Sequence, residues 1–91
     1  MIIAQANVNE IDLRQRTPLL KAARHNSNRE MIRVLMNYGA KPEIADDEGN
    51  TPLHEAAQRG TIEVAEFLMS LGANPYARNG LCLVPYELCT N

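Results

Sequence analysis

The chain has 91 residues, 45% of them apolar and 22% charged, with three Tyr, one Phe and no Trp; this bounds it to one small domain with an aliphatic core and excludes a disordered chain. Its net charge of −2 hides an asymmetry, with seven basic and three acidic side chains in residues 1–41 against two basic and eight acidic in 42–91. A generic nucleic-acid binder would be basic across the domain, so no direct nucleic-acid contact is expected. No apolar run approaches the ~18 residues that span a bilayer, and MIIAQANVNE lacks the basic flank and apolar stretch of a secretory signal. These features lead us to expect no membrane insertion and an intracellular protein, cytoplasmic or nuclear.

In chain order, the first clear signal is Thr17-Pro18. Thr can accept a bond from an orphan backbone N–H, and Pro fits the first helical position, where no N–H is needed; a short helix over 18–25 is expected. Ser27-Asn-Arg-Glu30 fits a capping box opening a longer helix over 28–37, with Met31, Ile32, Leu35 and Met36 on one face. Gly39 then stands at its C′ position. Residues 41–50 are too polar and turn-rich for a helix, and Asp47-Glu-Gly49 marks a tight turn projecting as a finger. Thr51-Pro52 starts a second short helix over 52–59, which Gly60 ends by supplying φ > 0. Thr61 can cap a helix over 62–71, with Val64, Ala65, Leu68 and Met69 on one face and Gly72 beyond it. Segment 74–83 is turn-rich again, with Asn79-Gly80 as its finger.

The chain repeats itself, and a recurring period takes precedence over local signals. RTPLLKAARHN (16–26) aligns with NTPLHEAAQRG (50–60) at a shift of 34, and VLMNYGAKPEIADDEGN (34–50) with FLMSLGANPYARNGLCL (67–83) at a shift of 33. The one-residue difference places an insertion at His25–Asn28, read either as a specific contact or as a harmless lengthening. QANVNEIDLRQRTP (5–18) matches GAKPEIADDEGNTP (39–52), which puts Met1 and Ile2 in the last turn of an outer helix. VPYELCT (84–90) sits where TPLHEAA sits. The organisation is thus the tail of a preceding unit (1–10), two full units (11–43 and 44–76) and a degenerate final half (77–91).

Those blocks resemble the ankyrin repeat, a turn plus two antiparallel helices; TPLHEAAQRGTIEVAEFLMSLGANP (51–75) and TPLLKAARHNSNREMIRVLMNYGAKP (17–42) carry the resemblance. It implies an all-α repeat solenoid of helix-turn-helix units with projecting hairpin-like fingers. The chain departs from the pattern at Gln15 and Cys82, where a fingertip Gly is usual, at Leu20 in place of the motif His, and at Val84 in place of the capping Thr. The third motif should therefore be a weak, frayed helix. The resemblance further implies a module without catalysis that binds a protein or peptide through its concave face. Its contact positions fall on Leu13, Arg14, Arg16, Arg24 and His25 in the first unit, Asp47, Glu48, Asn50, Gln58 and Arg59 in the second, and Leu81 and Leu83 at the end. Such a groove would be basic at one end, acidic at its middle finger and apolar at the last. No cofactor is implied.

Reactive residue types have structural readings here. Catalysis at His54 would need a nucleophile or second acid-base group beside it, and Glu55, next in sequence, points about 100° away on a helix. His54 instead matches the motif histidine, which the resemblance makes a strut between a helix and the neighbouring turn. Asp46, Asp47 and Glu48 lack the alternating oxygens of a calcium loop and read as a solvated acidic fingertip, with peptide recognition as the alternative; Asp46, equivalent to Asp12 and Asn79, would brace the turn. Cys82 and Cys89 lack zinc spacing and read as reduced thiols, Cys89 in the core. Met31, Met36 and Met69 read as core filling, and Arg29, Arg33 and Tyr38 as a solvated outer face. Two units with partial ends are marginal for a solenoid, so a second reading is a structural segment of a longer array, or an oligomerising scaffold, whose exposed N-terminal face is covered by another repeat or subunit.

Overall fold

The short helices begin where the Thr-Pro pairs place them. Thr17 and Thr51 hold extended backbone (φ −82° in both), and their hydroxyls accept from the N–H groups of Leu20 and His54 at 3.2 and 3.4 Å. Helices α1 (Pro18–Ala22) and α3 (Pro52–Arg59) follow, and each precedes a longer helix, α2 (Arg29–Asn37) and α4 (Ile62–Ser70). The computed structural model describes residues 8–88; the positions expected for Met1, Ile2 and Cys89 lie outside the described residues. Among those described the regular elements are all helical, as an all-α repeat solenoid requires. α1 packs on α2 and α3, and α3 on α4 and on a 3-10 turn, Pro85–Leu88, which is what the third motif forms among the described residues.

The two outer helices start differently from expectation. α3 ends on Gly60 in the left-handed region (φ 77°), whereas α1 has no such residue and stops at Ala22, three residues short. His25 is extended, and a 3-10 turn, Asn26–Asn28, leads straight into α2. The Ser27–Glu30 capping box does not form, and Asn28 at the N-cap makes no side-chain cap bond; its amide donates to Ala22 O instead, at 3.1 Å. Thr61 does not cap α4 either. Its hydroxyl lies 2.9 Å from Ala23 O and 3.2 Å from Ala56 O, sharing one proton between carbonyls of both units. The α4 terminus is served by Asn26 Oδ1 from the preceding unit, which accepts from Val64 N at 3.3 Å.

One core runs through both units, with Leu19, Ala23 and Ile32 joined to Leu53, Ala56, Val64 and Leu68. Alanines at 22, 23, 56 and 57 keep α1 and α3 thin, which lets neighbouring units stack. Of the three methionines expected inside, only Met36 packs against this core; Met31 and Met69 are 40% and 44% exposed. The buried stripe of α2 is Ile32–Leu35 and that of α4 is Val64–Leu68. Met31 and Met69 each lie one residue, about 100°, off those stripes. At the other edge Asn9 ties the chain to the end of α2, donating to Gly39 O at 3.2 Å and accepting from Lys41 N at 3.0 Å.

Three fingers project beside the inner helices, each built the same way. In the first, Asp12 Oδ1 accepts from Arg14 N and Arg16 N, both at 2.9 Å. In the second, Asp46 Oδ1 accepts from Glu48 N and Asn50 N, both at 2.9 Å. In the third, Asn79 Oδ1 accepts from Leu81 N and Leu83 N at 2.9 and 3.0 Å. Each finger is closed by a backbone bond from the Asp or Asn N–H to the carbonyl four residues on: Arg16, Asn50 and Leu83. A short side chain that accepts from the backbone two residues on is the chemistry of an Asx turn.

Candidate functional site

Backbone bonds hold the fingertips in a row. Asp47 N donates to Arg14 O at 3.0 Å, and at the equivalent place Gly80 N donates to Glu48 O at 2.9 Å. The second contact demands glycine on both sides. A Cβ on Gly49 would fall 2.6 Å from Gly80 N, and one on Gly80 would fall 2.8 Å from Glu48 O. Between the first two fingers and the outward sides of α1 and α3 lies an open cleft of about 510 Å³. It is lined by Arg14, Arg16, Arg24, Glu48, Asn50, Glu55, Gln58 and Arg59.

The charges in and around this cleft form three triads. At the fingertips Arg14 faces two carboxylates, Asp47 at 3.6 Å and Glu48 at 4.0 Å, leaving a surplus of one negative charge. At the base of the first finger Asp12 faces two cations, Arg16 at 3.2 Å and Lys21 at 3.5 Å. Between the inner helices Glu55 faces Arg24 at 3.3 Å and Arg59 at 2.9 Å, both through the same oxygen, Oε2. The latter two triads each carry one surplus positive charge. Asp12 is held at about 2, below its ordinary 3.8, first by the Arg16 N–H bond, then by that of Arg14 and by the Arg16 and Lys21 charges, against partial burial that raises it.

Seven of the twelve positions anticipated as contacts line the cleft: Arg14, Arg16, Arg24, Glu48, Asn50, Gln58 and Arg59. The other five do not. Asp47 stands at its rim, Leu13 and Leu81 project from the tips almost wholly exposed, and His25 is exposed beyond α1. Leu83 is half-buried, and its carbonyl is engaged in the core of the third finger. Asn50 is buried, and its Oδ1 accepts from Asn79 Nδ2 at 2.8 Å, so its side chain joins finger to finger. Arg14 of the first finger reaches across a repeat to the acidic middle finger, which softens the contrast expected between the two but leaves the middle finger with its surplus negative charge. The surplus negative charge lies on the middle fingertip, and the surplus positive charge lies at the base of the first finger and between the inner helices.

His54 is fully buried at the start of α3. Its Nδ1 accepts from Thr51 N at 3.1 Å, completing a capping box, so the ring proton sits on Nε2 and is donated to Leu83 O at 2.8 Å. Both ring nitrogens are committed to backbone groups, one in its own helix cap and one in the next finger. Cys82 is exposed. Among the described residues no group of three or more His, Cys, Asp or Glu is placed to hold a metal ion, and no helix is long and apolar enough to cross a membrane.

Glu55 was missed as a site residue, although its spacing of four from Arg59 is the signature of a helical ion pair. Its second partner, Arg24, comes from the preceding unit and carries no sequence signal.

Comparison with known proteins accords with this architecture. The chain is 36% identical over 73 residues to the ankyrin repeat protein YahD of Escherichia coli (strain K12), covering 76% of this chain and 36% of YahD. It is 35% identical over 71 residues to ankyrin repeat protein L92 of Acanthamoeba polyphaga mimivirus, covering 78% of this chain and 17% of L92. It is also 41% identical over 63 residues to human protein phosphatase 1 regulatory subunit 27, covering 69% of this chain and 41% of that protein. The chain therefore spans well under half the length of these relatives. A family model described as ankyrin repeats, in three copies, matches residues 1–79. With its Asx-braced fingers, stacked helix pairs and this match, the chain belongs to the ankyrin-repeat family.

Proposed function

We propose that the chain is a non-catalytic interaction module that binds a partner protein or peptide through its concave face, made by the fingers and the outward sides of α1 and α3. Ankyrin repeats are generally protein-interaction modules, and one relative is by name a regulatory subunit of a phosphatase. The observation that carries the reading is the polar cleft, lined by side chains that stand outside the hydrophobic core on a backbone fixed by finger-to-finger bonds. A preformed surface loses little ordering entropy on binding. The reading places the protein inside the cell, in cytoplasm or nucleus, with no cofactor. The test is an affinity capture comparing the intact chain with a variant carrying Ala at Leu13, Arg14, Asp47 and Glu48. Partners retained by the first and lost by the second support the face; identical sets overturn it.

A second reading, as a segment of a longer array or a self-associating scaffold, is favoured by the apolar side chains left exposed on the outer helices: Met31, Val34 and Tyr38 on and after α2, and Ile62, Met69 and Leu71 on and after α4. Sedimentation at two concentrations decides it. A stable monomer at both argues against any need for a partner to cover them.

A further inference from the structure

We propose that the Arg24–Glu55–Arg59 triad anchors an acidic side chain of the partner, an Asp or Glu within an acidic peptide segment, received between the two guanidinium groups. This rests on the concave face being the binding surface, and it names what that surface selects. The two guanidinium groups carry about ten N–H donors, while one carboxylate offers about four acceptor sites. Both approach the same Glu55 oxygen, and among the described residues neither pairs with any other carboxylate. The triad thus has donors to spare and one positive charge uncompensated.

The place suits a ligand as well as the charge does. Glu55 is 13% exposed, while Arg24 and Arg59 are 33% and 46% exposed. The carboxylate sits beneath and holds the two guanidinium groups toward the cleft, a prepositioned fork for a second carboxylate. Gln58 lies alongside and adds a neutral donor and acceptor. The adjoining Asp12 triad supplies another surplus positive charge. A polyphosphate, which carries more charge per group, is repelled more strongly than a single carboxylate by Glu48 in the cleft lining and Asp47 beside it.

The experiment is a titration of isotope-labelled protein, followed by its amide NMR signals, with a ten-residue Glu-rich peptide. A Lys-rich peptide and a single-stranded oligonucleotide serve as comparison probes. The Glu-rich peptide should bind saturably, shift the amides of Gln58 and Arg59, and weaken with added salt. Arg24→Gln and Arg59→Gln should each lower its affinity about tenfold, the scale of one charge-assisted hydrogen bond. Glu55→Gln should raise it, because the amide still holds a guanidinium while the competing charge is gone. A merely structural triad would not show that opposite sign. Arg29→Gln, on the outer helix, should leave binding unchanged, and circular dichroism verifies that each variant is folded.

Equal binding of Glu- and Lys-rich peptides, stronger binding of the oligonucleotide, or indifference to both arginine substitutions overturns the proposal. If the four-site Ala variant loses partners while Arg24→Gln and Arg59→Gln keep them, the acidic anchor fails and the concave surface stands. If none of these variants changes partner binding, the surface itself fails.

Discussion

The capping task that two residues share at the central motif start is only half done at the other two. Thr17 supplies a hydroxyl to Leu20 N, but Leu20 returns nothing to the Thr17 backbone. Thr51 and His54 do both. At the third, Val84 has no hydroxyl, yet Glu87 Oε1 accepts from Val84 N at 2.9 Å. The caps thus degrade by halves away from the central unit. Gln15 and Cys82 take positive φ (62° and 65°) as Gly49 does (82°), so the finger geometry survives the loss of glycine. The Asx-turn bonds enforce a conformation that a Cβ disfavours. Gln15→Gly should accordingly raise unfolding stability by about 0.5–1 kcal/mol, measured by urea denaturation; a decrease would mean that the side chain itself holds the turn. Asp12 makes a pH prediction. Its folded value of about 2 lies below the ordinary 3.8, so its stabilisation is complete above that ordinary value and is lost as pH falls toward 2. Asp12→Asn keeps the two N–H bonds, as Asn79 does in the third finger, and should remove this part of the acid dependence. Wild type and variant running parallel between pH 5 and 2 would refute the assignment.

Among the elements, the inserted residues have a use that sequence left undecided. Asn26 accepts from the N–H of Val64, the third residue of α4, the bond a capping side chain would make, from the preceding unit. Asn26→Ala should cost about 1 kcal/mol and speed amide exchange at Val64; unchanged exchange there would show that the bond does not persist in solution. Helix starts at Thr17 and Thr51 and stops at Gly39, Gly60 and Gly72 were legible because each rests on a local backbone requirement. The starts of α2 and α4 were not. Ser27, Glu30 and Thr61 satisfy a capping pattern, but at α4 the carbonyls of Ala23 and Ala56 take the Thr61 hydroxyl and Asn26 takes the Val64 N–H, while at α2 a 3-10 turn leads into the helix without a side-chain cap. The faces of Met31 and Met69 failed for a related reason. Periodicity names a stripe roughly half a helix wide, and only the packed neighbours decide which of two adjacent apolar residues lies inside it.

Across the whole molecule the repeat period told which residues are equivalent and therefore where the cleft lies. It could not tell whom a long side chain reaches. Arg14 pairs with the finger of the next unit and Arg24 with a helix of the next unit, so the charge asymmetry along the chain is softened where the units meet. An exposed pair such as Arg14–Asp47 contributes about 0–1 kcal/mol to stability. The larger consequence of these pairs is the field they leave, negative at the middle fingertip and positive at the base of the first finger and between the inner helices, which favours one orientation of a charged partner. Arg33 shows the same reach on the opposite side of the molecule, stacking over Phe67 of the next unit at 5.3 Å.

The most direct test is photocrosslinking with a benzophenone amino acid introduced at Gln58 in the cleft or at Arg29 on the outer helix. Discrete partner adducts from Gln58, absent from Arg29 and suppressed by Arg24→Gln, are expected. Adducts from Arg29 alone, or equal adducts from both positions, would contradict recognition through the concave face.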